Sequence, residues 1–79
     1  MVGEQLRGAR VARGLRLEDL SEATKIRALV IESMELDDFS PCGGRVYARG
    51  QVKSLALTLG MDVEEILATF DVQYPEGDE

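Results

Sequence analysis

The sequence predicts an all-α fold, a compact bundle of five short helices with no strand. Three observations carry that prediction. Apolar residues recur at spacings of three and four, most cleanly at Val52, Leu55, Ala56 and Leu59. Glycine or proline interrupts the pattern at Gly14, at Pro41 with Gly43 and Gly44, and at Gly60. The links between the periodic segments are short, so each helix can lay its apolar face against a neighbour. A chain of 79 residues has room for one such domain and a modest core.

The first helix is expected over about Gly3 to Arg13, with Leu6, Ala9 and either Val11 or Arg13 turned inward, and Gly14 as its stop. The second covers about Leu17 to Thr24, where Leu17, Leu20, Ala23 and Thr24 share one face. Lys25 and Ile26 make a turn. The third helix follows over about Ala28 to Leu36, with Val30, Ile31, Met34 and Phe39 directed at the core. Two helices joined by so short a turn have the pattern of a helix-turn-helix.

"SPCGG", Ser40 to Gly44, reads as a loop, because Pro41 lacks the amide a helix interior needs. The fourth helix spans about Val46 to Leu59 and is stopped by Gly60. Asp62 then caps the fifth, with Glu65 three residues on in capping-box position, and Val63, Ile66, Leu67 and Phe70 form its apolar face. The domain is therefore placed at residues 1–72. Residues 73–79, with Pro75, Gly77 and several acids, are expected to be a flexible acidic tail leading to a linker beyond this chain.

Composition removes several classes of function. The net charge is −6, so the bulk attraction that drives non-specific nucleic-acid binding is missing. Arg7, Arg10, Arg13 and Arg16 form a basic row on the first helix, read first as a solvated face partly paired with acids and otherwise as a local basic patch for a phosphate or an acidic partner. The chain has no histidine, the commonest general base and metal ligand, and no phosphate-binding glycine loop. No enzyme activity and no cofactor or metal are expected. The single cysteine, Cys42, allows no internal disulfide and is read as an inert loop thiol in a reducing cytoplasm. No apolar run approaches a membrane span, and no signal peptide is visible.

The run "LEDLSEATKIRALVIESME" resembles the helix-turn-helix of the XRE/Cro-like family, with the lambda-repressor-like architecture. Over Leu6 to Asp71 the chain is similar to the N-terminal domain of RodZ-type cytoskeletal proteins, through "LRGARVARGL", "LEDLSEATKIR", "SMELDDF", "VYARG", "LGMD" and "EEILATFD". That resemblance implies a cytoplasmic module of a membrane-anchored scaffold for cell shape or division. The anchor would lie in segments outside these residues, placing the domain at the cytoplasmic face of the inner membrane. It also implies a protein partner, the actin-like filament protein MreB or another elongation or division protein. The implied docking surface centres on the fourth helix and an aromatic pair four residues apart. Tyr47 holds the first aromatic position; the second falls on Gln51, and Leu55 and Thr58 stand where relatives often carry aromatics.

Tyr47 either packs half-buried over the loop or faces the partner. Arg49 and Lys53 are ordinary solubilising charges or a basic rim around an acidic partner, beside Tyr47. Gly50 costs its helix about 1 kcal/mol relative to alanine, and a close intramolecular approach is the expected reason. The resemblance further implies a structural, largely buried ion pair between Arg10 and Glu35, joined through two parallel bonds.

The competing reading is a sequence-specific DNA-binding regulator. Its base-reading positions would be Arg27, Ala28, Leu29 and Ser33, with Glu32 among them. Readers of base edges present arginine, asparagine and glutamine there, and only Arg27 fits. Glu32, Glu35, Asp37 and Asp38 oppose phosphates, so DNA is the disfavoured partner.

Overall fold

Five α-helices and one 3₁₀ turn make up residues 1–75, the part described by the structure, a computed structural model. They are α1 (Val2–Ala12), α2 (Leu17–Thr24), α3 (Ala28–Glu35), the turn Ser40–Cys42, α4 (Arg45–Leu59) and α5 (Val63–Gln73). Among the described residues there is no strand. The fold is thus the all-α helix-turn-helix bundle that the sequence predicts.

Local chemistry sets the helix ends. Asp19 accepts the Arg16 amide at 2.8 Å and so satisfies an orphan donor at the start of α2. Thr24 donates its hydroxyl to Leu20 and accepts the Ile26 amide, which fastens the turn between α2 and α3. Lys25 takes the left-handed conformation there, φ 66°. Asp62 accepts the Glu65 amide and caps α5. Gly60 ends α4 with φ 71°.

The longest helix, α4, organises the core. It packs on α5, α2 and α1, and buries Ala48, Val52, Leu55, Ala56 and Leu59. Leu6, Leu20, Ile31, Met34, Ile66 and Phe70 close around that stripe. Each fully buried large side chain contributes about 1.5–3 kcal/mol. Phe39, Phe70 and Tyr74 add a three-ring cluster with centroids 5.1–5.5 Å apart, two of the contacts edge-on.

Several expectations are corrected. Val11 is exposed, because it lies about half a turn from the Val2–Leu6–Ala9 stripe. Arg13 has the right angular position, but α1 has ended by then, and its guanidinium runs over Gly60. Ala23 falls at the edge of the Leu17–Leu20–Thr24 stripe and is exposed. The domain boundary at residue 72 falls too early. Gln73 is the last residue of α5, and Tyr74 is held in the ring cluster. Residues 76–79 of the expected tail lie outside the described residues. Cys42 belongs to the 3₁₀ turn rather than an open loop; it is buried, and burial pushes its thiol pKa up, with Asp38 adding to the effect.

Candidate functional site

The helix that would read DNA is short of donors and fronted by acids. Leu29 is 76% exposed, Arg27 and Glu32 are exposed, and Ala28 and Ser33 are half-buried. A small groove beside the start of α3 is lined by Glu18, Asp19 and Glu22, with Arg16. Carboxylates thus stand where the helix dipole would otherwise favour a phosphate.

The acids at the end of α3 are engaged inside the molecule. Arg10 donates through Nε and Nη2 to the two Glu35 oxygens at 2.7 and 3.0 Å, and through Nη1 to the Leu15 carbonyl at 3.0 Å. The pair is largely buried, with side chains 15% and 5% exposed. The bond to Glu35 raises the Arg10 pKa further above its ordinary value. Asp37 accepts the Gly3 amide at 2.9 Å, so a carboxylate from α3's exit caps the first turn of α1. Gln73 bridges the same point, accepting the Val2 amide and donating to Asp37. The Tyr74 hydroxyl donates to the Asp37 carbonyl. Asp38 accepts from the Ser40 hydroxyl and amide, which lowers its pKa.

The surface of α4 is different. Val46 is 78% exposed, Tyr47 67% and Leu57 62%. Val46, Gly50 and Leu57 line the crest of the helix, and Tyr47 leans beside it near Gly43. The four residues expected to form one contact surface do not cluster. Tyr47 and Arg49 are two positions apart, roughly 160° around the helix, so they flank the crest on opposite sides. Gln51 turns inward, donating to the Cys42 carbonyl at 3.2 Å, with its Oε1 buried and without a partner. Arg49 binds Asp71 through Nε and Nη2 at 2.9 and 3.0 Å. Lys53 is exposed.

Gly50 is likewise not explained by close packing, since a Cβ there would meet nothing within 4 Å. The close approach is at Gly3 instead. A Cβ on Gly3 would lie 2.6 Å from the carbonyl oxygens of Met34 and Glu35.

One arrangement is not marked by any motif in the sequence. Arg45 donates to Asp71 at 2.6 Å and to the Tyr74 carbonyl at 2.7 Å, and lies 5.5 Å from the Phe70 ring centroid. Arg45 and Arg49, one helical turn apart, together clamp the end of α5. The Asp71 carboxyl is held below its usual range, first by the Arg49 bond. Their spacing of four signals a shared face, but no pattern in the sequence names Asp71 as the acid they meet.

Comparison with known proteins agrees with this geometry. The family described as "Helix-turn-helix domain" matches residues 5–66, which takes in α2, α3 and α4 whole. The chain is 36% identical over 70 residues to "Cytoskeleton protein RodZ" of Streptococcus pneumoniae (strain ATCC BAA-255 / R6), across 89% of this chain and 25% of that protein. It therefore spans about a quarter of the length of the curated relative it matches. No solved structure matches the chain. The chain belongs to this helix-turn-helix domain family, as a domain of the RodZ type.

Proposed function

We propose that the domain is a protein-interaction module of a cytoskeletal scaffold for cell shape or division, docking through α4 on an MreB-like filament or another morphogenesis protein. The observation that carries this reading is the exposed apolar face of α4, with Val46, Tyr47 and Leu57 open to solvent. Large apolar groups that could have been buried stand out together on one helix, as they do at protein contacts. The likeness to a cytoskeleton protein supplies the class of partner. Among the described residues no helix is long and apolar enough to cross a membrane, so attachment to the inner membrane would come from a segment outside them.

Tyr47 is the central contact, with Val46 beside it and Leu57 about 15 Å further along the helix; Lys53 supplies charge at the far flank. Gln51 contributes less, because its amide is already bound inside the fold. Purified MreB from the same organism, titrated with the domain, tests the reading. Tyr47→Ala should weaken binding about tenfold or more, as for an aromatic hot spot, with the thermal midpoint unchanged. Binding that Tyr47→Ala leaves intact removes Tyr47 from the interface. Tight, salt-sensitive binding to random duplex DNA would favour the regulator reading instead.

A further inference from the structure

The outer side of α3 carries an apolar strip. Leu29 and Leu36 are each 76% exposed. They are seven positions apart, about 10 Å along the axis and on one side of the helix, turned away from the buried Ile31 and Met34. Leu36 is the C-cap residue, so its Cα continues the line of the helix. Single exposed leucines are ordinary, but two in line on one helix face are not scattered. Beside them lies a shallow groove of about 150 Å³, lined by Arg7 of α1 and by Glu32 and Leu36, among others. Arg7 and Glu32 are exposed, and among the described residues neither has a hydrogen-bond or ion-pair partner. We propose that this face pairs with the same face of a second copy of the chain, α3 against α3 in an antiparallel two-fold contact.

The pattern of the face selects that occupant. Turned about a two-fold axis near Ser33, Leu29 of one copy lies on Leu36 of the other, and the contact is made twice. Ser33 is short and half-buried, so the helices can approach closely at the axis. Arg7 and Glu32 share one flank of the strip, and the same rotation brings the Arg7 of each copy towards the Glu32 of the other. Two cations and two carboxylates then meet and sum to zero. A basic partner would complement Glu32 and repel Arg7; an acidic partner, nucleic acid included, would do the reverse. A second copy complements both.

The face is separate from the α4 surface. α3 packs on α1, α2 and the 3₁₀ turn and, among the described residues, not on α4. Pairing therefore leaves Tyr47 open on both copies, and the proposal does not depend on what binds there. The strip is short, so the pair is weak, with a dissociation constant of about 0.1 mM, as for an interface well under about 1,200 Å².

The test is sedimentation equilibrium and ¹⁵N NMR of the 79-residue chain, at concentrations from well below to well above that constant. The mass should rise from the monomer and level at the dimer, with amide shifts confined to α3 and to α1 around Arg7. Leu29→Glu and Leu36→Glu should each weaken pairing about tenfold or more, since each leucine is buried twice in a two-fold pair. Both leucines are exposed, so the melting temperatures should stay near the parent's. Arg7→Glu and Glu32→Arg should each weaken pairing about tenfold. Mixed in equal amounts, those two variants should pair with each other about as tightly as the parent does with itself, because each then meets opposite charge at both positions. Damage to either fold would not recover on mixing. Tyr47→Ala should leave pairing unchanged, which separates failure of this site from failure of the α4 docking reading. A monomer at every concentration, a mass beyond the dimer, shifts centred on another face, an unaffected Leu29→Glu, or no recovery in the mixture would overturn the proposal.

Discussion

The end of α3 and the outer side of α4 present opposite arrangements. At the end of α3, Glu35, Asp37 and Asp38 each have an internal partner: Arg10, the start of α1, and Ser40. Along α4, Val46, Tyr47 and Leu57 remain open, and Gly50 faces empty space. The difference teaches that charge counted along a helix is a poor guide to its surface. Two of the four acids that make α3 look hostile to DNA, Glu35 and Asp37, hold helices together. What a partner meets is what remains after internal pairing, and much of that lies on α4.

The strongest test of this contrast is Arg10→Ala. It strands Glu35, whose side chain is only 5% exposed, and should cost about 3 kcal/mol in a urea unfolding experiment. Adding Glu35→Gln to that variant should recover part of the loss, since no buried charge is then left. A cost below about 0.5 kcal/mol would mean that the pair behaves as a surface bridge, and the contrast would collapse.

Gly3→Ala comes next, at about 2 kcal/mol, the scale of overpacking a tight contact. The new methyl would overlap the carbonyls of Met34 and Glu35, and α1 would have to lift from α3. Asp37→Ala should cost about 1–2 kcal/mol, from a lost helix cap and an alanine forced to φ 64°. Asp37→Asn keeps an acceptor and tolerates that backbone, so it should recover most of the loss. An equal drop for both would move the cause from cap geometry to the charge.

The smallest effect has the opposite sign. Gly50→Ala should stabilise by about 1 kcal/mol, because the helix gains a better former and nothing obstructs the methyl. The two glycines thus sharpen the comparison: the same substitution should destabilise at the α1–α3 contact and stabilise on α4. A loss of stability at Gly50 would show that the outer side of α4 is under internal constraint after all.

Much of the architecture was legible because helix periodicity is a local property. The stripe Val52–Leu55–Ala56–Leu59 and the stops at Gly14 and Gly60 need no knowledge of neighbours, and the five helices follow from them. The errors came where position around a helix had to be judged near its ends. Val11 lies opposite its stripe and Ala23 at the margin of its own, and Tyr74 owes its place to Phe39, distant in sequence, as well as to Phe70 one turn before it. The candidate surface was less legible. Tyr47 stands exposed on α4, but Arg49 and Gln51 spend their polar groups on Asp71 and the Cys42 carbonyl, partners that helix spacing alone does not reveal.

The sequence by itself determined an all-helical chain with a helix-turn-helix, an acidic balance, and no residues suited to histidine-based catalysis. Those properties are sums or short-range patterns, readable along one dimension. Only the tertiary structure decided which charges are consumed and which face outward. Asp37 became a cap because α1 begins beside the exit of α3, and Arg45 and Arg49 became a clamp because α5 returns antiparallel along α4. Such pairings join residues more than twenty positions apart, and the packing of the core, not the spacing of the chain, brings them within hydrogen-bond distance.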